Sequence, residues 1–518
     1  MHEQNAIAGE PVELRLERAE DLYLRARRDQ ALANLDGCED WPGFTGEKAL
    51  ALRAEILTTR DPIAGLQELA AYQDAFTSAE GRFEYFIASA RAYTNSRNFE
   101  GAGEMVDAAG RLLEGENDLR APRVAYYRAR LKTIMREFGT QEDDFALALR
   151  DPDPALRFNA LSWRSWMYAG LEDYRAQLHD LREAFTLFEK EGYRCNLASV
   201  ATSLHAMLRL AFEIGDQEAV AQGEAAYEAI DWTPDIRENR FLSARALAWD
   251  AYVSGDPARA QWLFKDSKDF APTNAWKVMA HVDRAYVARM NENEAWATEE
   301  LQQAHVLADR VAWGSTKGEE RMALVTMAIL FAPVDMARAQ RYVSTYIALG
   351  LDSIDPTLTA AHDRRAVAFE KYATGCVQQV LGNTKLAIRS FELAFEIFSQ
   401  SEHFYRAALA ANALYDVTHE TAWLEMARAN ASRFPQSGLY RKLHERKQAA
   451  AEPEFAGLTA MQRQIAVGIA EGLDIDALSH RFSRSTFTIE KQIDAIAAHL
   501  GLRSRFGLRT ELRKRSIA

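Results

Sequence analysis

The chain has 518 residues, 48% hydrophobic and 26% charged, with a formal net charge of −13. That composition excludes wholesale disorder, and the length exceeds what one core supports, so two or more domains or a repeat array are expected. No run approaches the ~18 apolar residues of a membrane span, and the start "MHEQNAIAGEPVELRLE" lacks the basic and apolar regions of a leader, which points to a cytoplasmic protein without a membrane partner.

Residues 10–448 carry almost no strand signal. Alanine-rich helical patterns of 12 to 18 residues alternate with short polar breaks. The segments "YAGLEDYRAQL" (168–178), "EIGDQEAVAQG" (213–223), "VSGDPARAQWLF" (253–264), "APVDMARAQRYV" (332–343) and "VLGNTKLAIRSF" (380–391) each place a tight turn before a helix. The turn positions Gly215, Gly255, Val334 and Gly382 give a period near forty. Gly is expected to end one helix in the left-handed conformation and Asp or Asn to cap the next. Ala260, Ala339 and Ala387 allow close helix approach, and Trp249, Tyr252, Phe264, Phe391 and Phe395 fill the gaps. The pattern resembles the tetratricopeptide superfamily, whose unit is ~34 residues, and the degenerate helical repeats in the sensor arms of large bacterial regulators.

Two features of this region admit a ligand. Arg123, Tyr127 and Arg130 share one helical face, suited to an anionic ligand or an acidic peptide; a solvated basic stripe over packed tyrosines is the simpler alternative. Trp163 and Trp166 lie one turn apart, a spacing more common in a core than in a ligand cage. Neither feature assigns a ligand.

Catalytic motifs are missing. "GFTGEKA" (43–49) and "WGSTKGEE" (313–320) fail the phosphate-loop spacing, and "HETAW" (419–423) lacks the second histidine of a zinc helix. No nucleophile elbow, dinucleotide fingerprint or kinase loop occurs. Cys38, Cys195 and Cys376 match no metal spacing and are expected to be reduced and mostly buried. The expectation is no enzyme activity, no catalytic residue, no metal and no cofactor.

The charge is uneven: residues 456–518 hold a balance of +4, leaving −17 on residues 1–455. A basic end on an acidic body suggests a confined nucleic-acid contact. After a linker at 449–457, four short helices are expected within 458–518. Thr459 and Gln462 form a capping box, Gly472 loosens the first helix end, Asp474 caps a second helix that buries Leu478 and Phe482, and Ser485 caps a third. Ile489, Ile493, Ile496 and Leu500 form one buried stripe on that third helix, and Gly501 stops it.

Two short helices joined by a tight turn, the second with one apolar stripe, make the helix-turn-helix plan for the major groove. Residues 458–505 resemble the LuxR-type (NarL/FixJ-like) DNA-binding domain: Leu458, Thr459, Gly472, Leu478, Ser485, Thr488, Ile489, Ile496, Leu500, Gly501, Ser504 and Arg505 match its pattern without a gap. Departures are Gln462 for Glu, Ser479 for Ala, Gln492 for His and His499 for Lys.

The fold expected is therefore all-α: a tetratricopeptide-like solenoid over 1–448, the linker, and a four-helix LuxR-type domain over 458–518. Arg484, Thr488, Lys491, Arg503 and Arg505 are placed to hold phosphates, and Thr486, Phe487 and Glu490 to meet base edges. Asp494, an acid one turn further on, fits a reading face less well. The resemblance implies a fourth helix that pairs two such domains; Leu508 and Leu512, flanked by Arg509 and Arg513, supply either that seam or a packing face for their own domain.

The function expected is sequence-specific transcriptional regulation, with double-stranded DNA and RNA polymerase as partners and the nucleoid as the place of action when bound. The repeats would sense a protein, a peptide or a small molecule and control the head by a population shift, and a homodimer is an open state. The alternative is a protein-interaction scaffold or anti-regulator whose helix-turn-helix serves docking or dimerisation.

Overall fold

The computed structural model describes residues 10–115, 118–290, 293–316, 318–349, 360–451, 458–482, 484–502 and 507–514. Among them are 27 α-helices and no strand, an all-α helical-repeat architecture. They fall into two compact units, 1–406 and 407–518, and the division lies inside the helix Phe404–Thr418. The expected boundary at 448 is a different one: the helix Gly438–Ala451 runs into the first linker residues, and 452–457 lie outside the described residues.

In the first unit, successive helices pair as antiparallel hairpins, for example Pro154–Gly170 with Tyr174–Glu191, Arg237–Val253 with Pro257–Phe270, and Ala360–Val380 with Thr384–Gln400. The turns follow the expected chemistry in part. Gly215, Gly255 and Gly382 are left-handed, at φ 82°, 84° and 76°. Asp173, Asp216, Asp256 and Asp335 each accept a backbone N–H of the next helix. Val334 is not left-handed; there Phe331 O accepts from both Val334 N (2.9 Å) and Asp335 N (2.7 Å). Asn383 does not cap with its side chain; its amide N–H donates to Gln378 Oε1 at 2.7 Å.

Arg97, Glu172 and Glu402 take the left-handed turn position without being glycine. A side chain there costs about 1–2 kcal/mol. A Cβ at Gly382 would meet nothing within 4 Å, so space does not forbid a side chain there. Gly382→Ala is therefore expected to cost about 1 kcal/mol from the backbone alone, read as a fall in thermal midpoint.

Small residues let the helices meet. Ala260, Ala339 and Ala387 are fully buried, and Trp249 packs edge-on against Phe264 at 5.6 Å and Tyr286 at 5.3 Å. The helix Leu197–Ile214 is long and apolar enough to cross a membrane by length and composition, and 72% of it is buried within the fold.

The first unit also closes on itself. Arg27 donates to Asp231 at 2.8 Å, Arg28 N to Asp235 at 2.9 Å, and the Thr233 hydroxyl to Ala26 O at 2.9 Å. Farther along, Arg364 pairs with Glu172, and Arg175 with Glu402 at 3.3 Å. His403 is buried beside the rings of Tyr174 (6.0 Å) and Phe398 (6.3 Å). Burial pushes its imidazole down to about 4, with Arg365 and Arg209 adding to the fall and Glu213 opposing it.

The folded form therefore resists a proton that the unfolded chain accepts near its ordinary value of about 6.5. Above that pH both states are neutral and His403 has no effect. Stability is lost as pH falls from about 6.5 to about 4, by roughly 3 kcal/mol at the acid end. His403→Phe is expected to flatten this limb of a pH-dependent denaturation series.

In the second unit, a separate core gathers Leu458, Ile465, Ala466, Leu478, Ile489, Ile493, Ile496, Leu500, Leu508 and Leu512. The Thr459–Gln462 capping box forms, with Gln462 N to Thr459 Oγ1 at 3.2 Å and Thr459 N to Gln462 Oε1 at 2.8 Å. Asp474 Oδ1 accepts from Ala477 N at 2.8 Å, and Ser485 Oγ from Thr488 N at 3.2 Å. Gly472 ends the helix Ala460–Glu471 at φ 100°.

Candidate functional site

The helix Ala121–Ile134 starts at a turn fixed by Asp118, whose carboxylate takes the Arg120 guanidinium through Nε (3.0 Å) and Nη2 (2.7 Å). Arg120 in turn holds the Asp118 carboxyl well below the usual range. The helix runs between Ala79–Asn95 and Pro154–Gly170, and a groove of ≈ 650 Å³ opens along the three. Arg123, Tyr127 and Arg130 all line it, the two arginines half-buried and the tyrosine buried.

Each arginine is held differently. Arg123 donates to Glu84 at 2.7 Å. Arg91 pairs with Glu55, which also accepts from the Tyr23 hydroxyl at 2.8 Å. Arg130 sits 4.9 Å over the Trp163 ring and donates to the Asn95 amide oxygen at 3.3 Å. It is thus oriented by a π face and a neutral acceptor, and Arg91 Nε and Arg130 Nε have no acceptor among the described residues. Tyr126 and Tyr127 stack edge-on at 5.0 Å, and burial pushes the Tyr126 hydroxyl up to about 12, so it stays a donor. Asn196 Oδ1 accepts from Ala198 N at 3.1 Å, which leaves its NH₂ group as a donor in the wall. Trp166 is not in the wall, so the tryptophan pair is not a joint cage.

A period joins these residues. Glu55 and Arg91 are 36 apart, and Tyr127, Trp163 and Ser199 continue at the same interval; all five line the groove. One residue per hairpin therefore faces the same channel. This first part of the array repeats every 36 residues, closer to the tetratricopeptide length than the turn spacings between 215 and 382 suggest. Among the described residues no three His, Cys, Asp or Glu side chains converge as a metal site.

The second candidate surface is the helix Thr486–His499. Ile489, Ile493 and Ile496 face the core, which turns the opposite face out. Arg484, Thr486 and Lys491 are exposed, Phe487 is 64% exposed, and Thr488 and Glu490 are half-buried. Lys491 Nζ lies 4.7 Å from the Phe487 ring centroid, which pre-positions both. The Thr488 hydroxyl is 2.8 Å from Ser485 Oγ and so belongs partly to the cap. Asp494 is exposed, and both it and Glu490 are engaged with neighbours. Arg503 and Arg505 lie outside the described residues, as does Ser504.

Leu508 and Leu512 take the packing role. Both are buried in their own domain's core, so a seam open to a second copy is not made by these two side chains. The physical reason lies in the close approach beside them: the helix Leu508–Lys514 lies against Ala460–Glu471, with Arg509 over Gly472, where a Cβ would meet its guanidinium at 2.2 Å.

No family model matches the chain, and no curated protein matches it. It is similar, at 12% identity and a TM-score of 0.37, to a solved structure of phAimR with its ligand, covering 68% of this chain and 96% of that one. It is also similar, at 15% identity and a TM-score of 0.22, to a structure of Naa15/Naa10 bound to HypK-THB, covering 94% of this chain and 84% of that one.

Proposed function

We propose that the protein is a sequence-specific DNA-binding transcriptional regulator of LuxR type, controlled by a signal bound in the groove of its helical repeats. The observation that carries this reading is the capped helix Thr486–His499, which buries its isoleucines and presents Thr486, Phe487 and Lys491 together. A helix of this kind enters the major groove through its N-terminal turns. Arg484, Thr488 and Lys491 then hold phosphates, with Arg503 and Arg505 from the following segment. Phe487 meets a thymine methyl, and Thr486 and Glu490 meet base edges, the latter a cytosine amino group. RNA polymerase is the partner through which a bound regulator acts, and the nucleoid is where it acts.

The groove's size falls in the range of ligand sites. Its ladder of one polar or aromatic residue per hairpin suits an extended chain better than a compact metabolite, and Arg130 on Trp163 suits a carboxylate. A short peptide with an acidic group is the signal that these features favour.

Two measurements test the reading. The full chain, incubated with fragmented genomic DNA at two salt concentrations, is expected to retain a defined subset with an affinity that falls steeply with salt. Lys491→Ala should lower affinity across all sequences and reduce the salt slope by about one. Retention of no fragment favours the alternative, a scaffold that uses the helix-turn-helix for docking. Panning a random peptide library on the full chain should enrich acidic sequences, and Arg130→Ala should lose them.

A further inference from the structure

Outside the groove, a second polar site lies where the helices Leu197–Ile214, Ala360–Val380 and the start of Phe404–Thr418 meet. A cavity of ≈ 20 Å³ there is lined by Tyr174, Gln177, Arg209, Glu213, Arg365 and His403. That volume holds one water or one ion of similar size.

The charges around it do not balance. Arg209 donates to Glu319 at 2.9 Å. Arg406 is held between the rings of Trp249 (5.3 Å) and Phe369 (5.1 Å), with Nε 3.7 Å from Glu213 Oε1, beyond hydrogen-bond reach. Arg365 lies 5.7 Å over the Phe369 ring and has no hydrogen bond or ion pair among the described residues. Glu213 and Glu319 favour its charge, while Arg209 and Arg406 oppose it. Arg365 is thus the guanidinium of this cluster without a direct carboxylate contact among the described residues. The neighbouring Arg245 is already neutralised by Asp283, at 2.5 Å and 3.1 Å.

The walls point the same way. Tyr174 Oη and His403 Nδ1 are buried with no close hydrogen bond, Ser401 being the polar residue that acts on both, and Gln177 adds an amide. Burial and Arg209 together push Arg365 down to about 9, the mark of a cation short of a counter-charge. Glu213 Oε2 is also without a partner, and water would satisfy it. Water would not cancel the surplus charge.

We propose that this cavity binds one small monovalent anion of about chloride's size, held by Arg365 and Arg209 with the Tyr174 hydroxyl and the Gln177 amide. The small space at the base of the site suits a monoatomic ion better than phosphate or a nucleotide, and Arg365 beside Arg209 favours an anion. Because its ligands come from residues 174–213 and 365–403, the bound ion ties the end of the repeat unit to its middle. The site is independent of the groove and of DNA binding.

The test is thermal unfolding of the full chain at constant ionic strength, with sodium chloride replacing sodium gluconate stepwise. The midpoint is expected to rise by a few degrees and saturate with chloride. Arg365→Met should abolish the dependence and, in gluconate, melt above the unaltered chain because the surplus charge is gone. Tyr174→Phe keeps every charge and should move the half-saturation point to higher chloride; it decides the matter if Arg365→Met does not fold. In crystals grown with sodium bromide an anomalous peak is expected in the cavity. No chloride dependence in the unaltered chain, an equal dependence in Arg365→Met, or no bromide peak would each overturn the proposal in favour of a water.

Discussion

Asp283→Ala is expected to destabilise the repeat unit by about 3–5 kcal/mol, among the largest effects of any single change in the chain. Asp283 is almost wholly buried on the helix Asn274–Met290, and its two oxygens take the fork of Arg245 from Arg237–Val253. Burial alone would lower the arginine's proton affinity, and the carboxylate outweighs it. Removal of the acid leaves a largely buried guanidinium beside Met279 Sδ at 3.4 Å, with only the more distant Glu319 and Glu213 favouring its charge. The double change Arg245→Met, Asp283→Leu should recover most of the loss, because a buried pair replaced by packed apolar groups is often neutral. Urea midpoints of the three variants check this. Asp180, which holds Arg164 through two bonds of 2.7 Å, is expected to behave alike.

Ile496→Ala should remove the C-terminal module as a folded body. Ile496 is fully buried in a core of about a dozen side chains, and an Ile→Ala cavity costs about 2–5 kcal/mol, comparable to the whole stability of a domain this small. The far end of the same helix gives the opposite outcome. Phe487→Ala, at a largely exposed position, should alter stability by less than about 0.5 kcal/mol while removing about 1–3 kcal/mol of discrimination at a thymine. Circular dichroism beside binding to a bound genomic fragment separates the two: the first variant loses structure and binding together, the second only its sequence preference.

The C-terminal module is legible in the sequence because its signals are local. A Thr–Gln pair three apart, a Ser before an apolar stripe and a Gly after it act within one turn of backbone, and each does in the structure what its chemistry requires. The repeat turns are legible where glycine marks them and hidden where it does not. Arg97, Glu172 and Glu402 take the same backbone conformation under side chains that announce nothing.

The groove is half legible. Arg123, Tyr127 and Arg130 share a helix, so their spacing shows, but Glu55, Arg91, Trp163 and Ser199 share only a period of 36 and no chemistry. Arg365 is not legible at all, because its neighbours Arg209 and Glu213 lie some 150 residues earlier in the chain. Leu508 and Leu512 show a different limit. An i, i+4 leucine pair announces burial but not the surface that buries it, and here that surface is the domain's own.

The clasps between Arg27 and Asp231, Arg364 and Glu172, and Arg175 and Glu402 join residues 204, 192 and 227 apart. In an open array each hairpin meets only its neighbours, stability is a sum of local contributions, and the ends fray first. Long clasps change that order of events. The chain must close loops of that length before the clasps reward it, which slows assembly. Once they are made, a terminal hairpin cannot peel away without releasing contacts at the middle of the array. Melting of the repeat unit should then be more cooperative than that of an open array, with amide exchange at the first hairpin slower than at a freely fraying end.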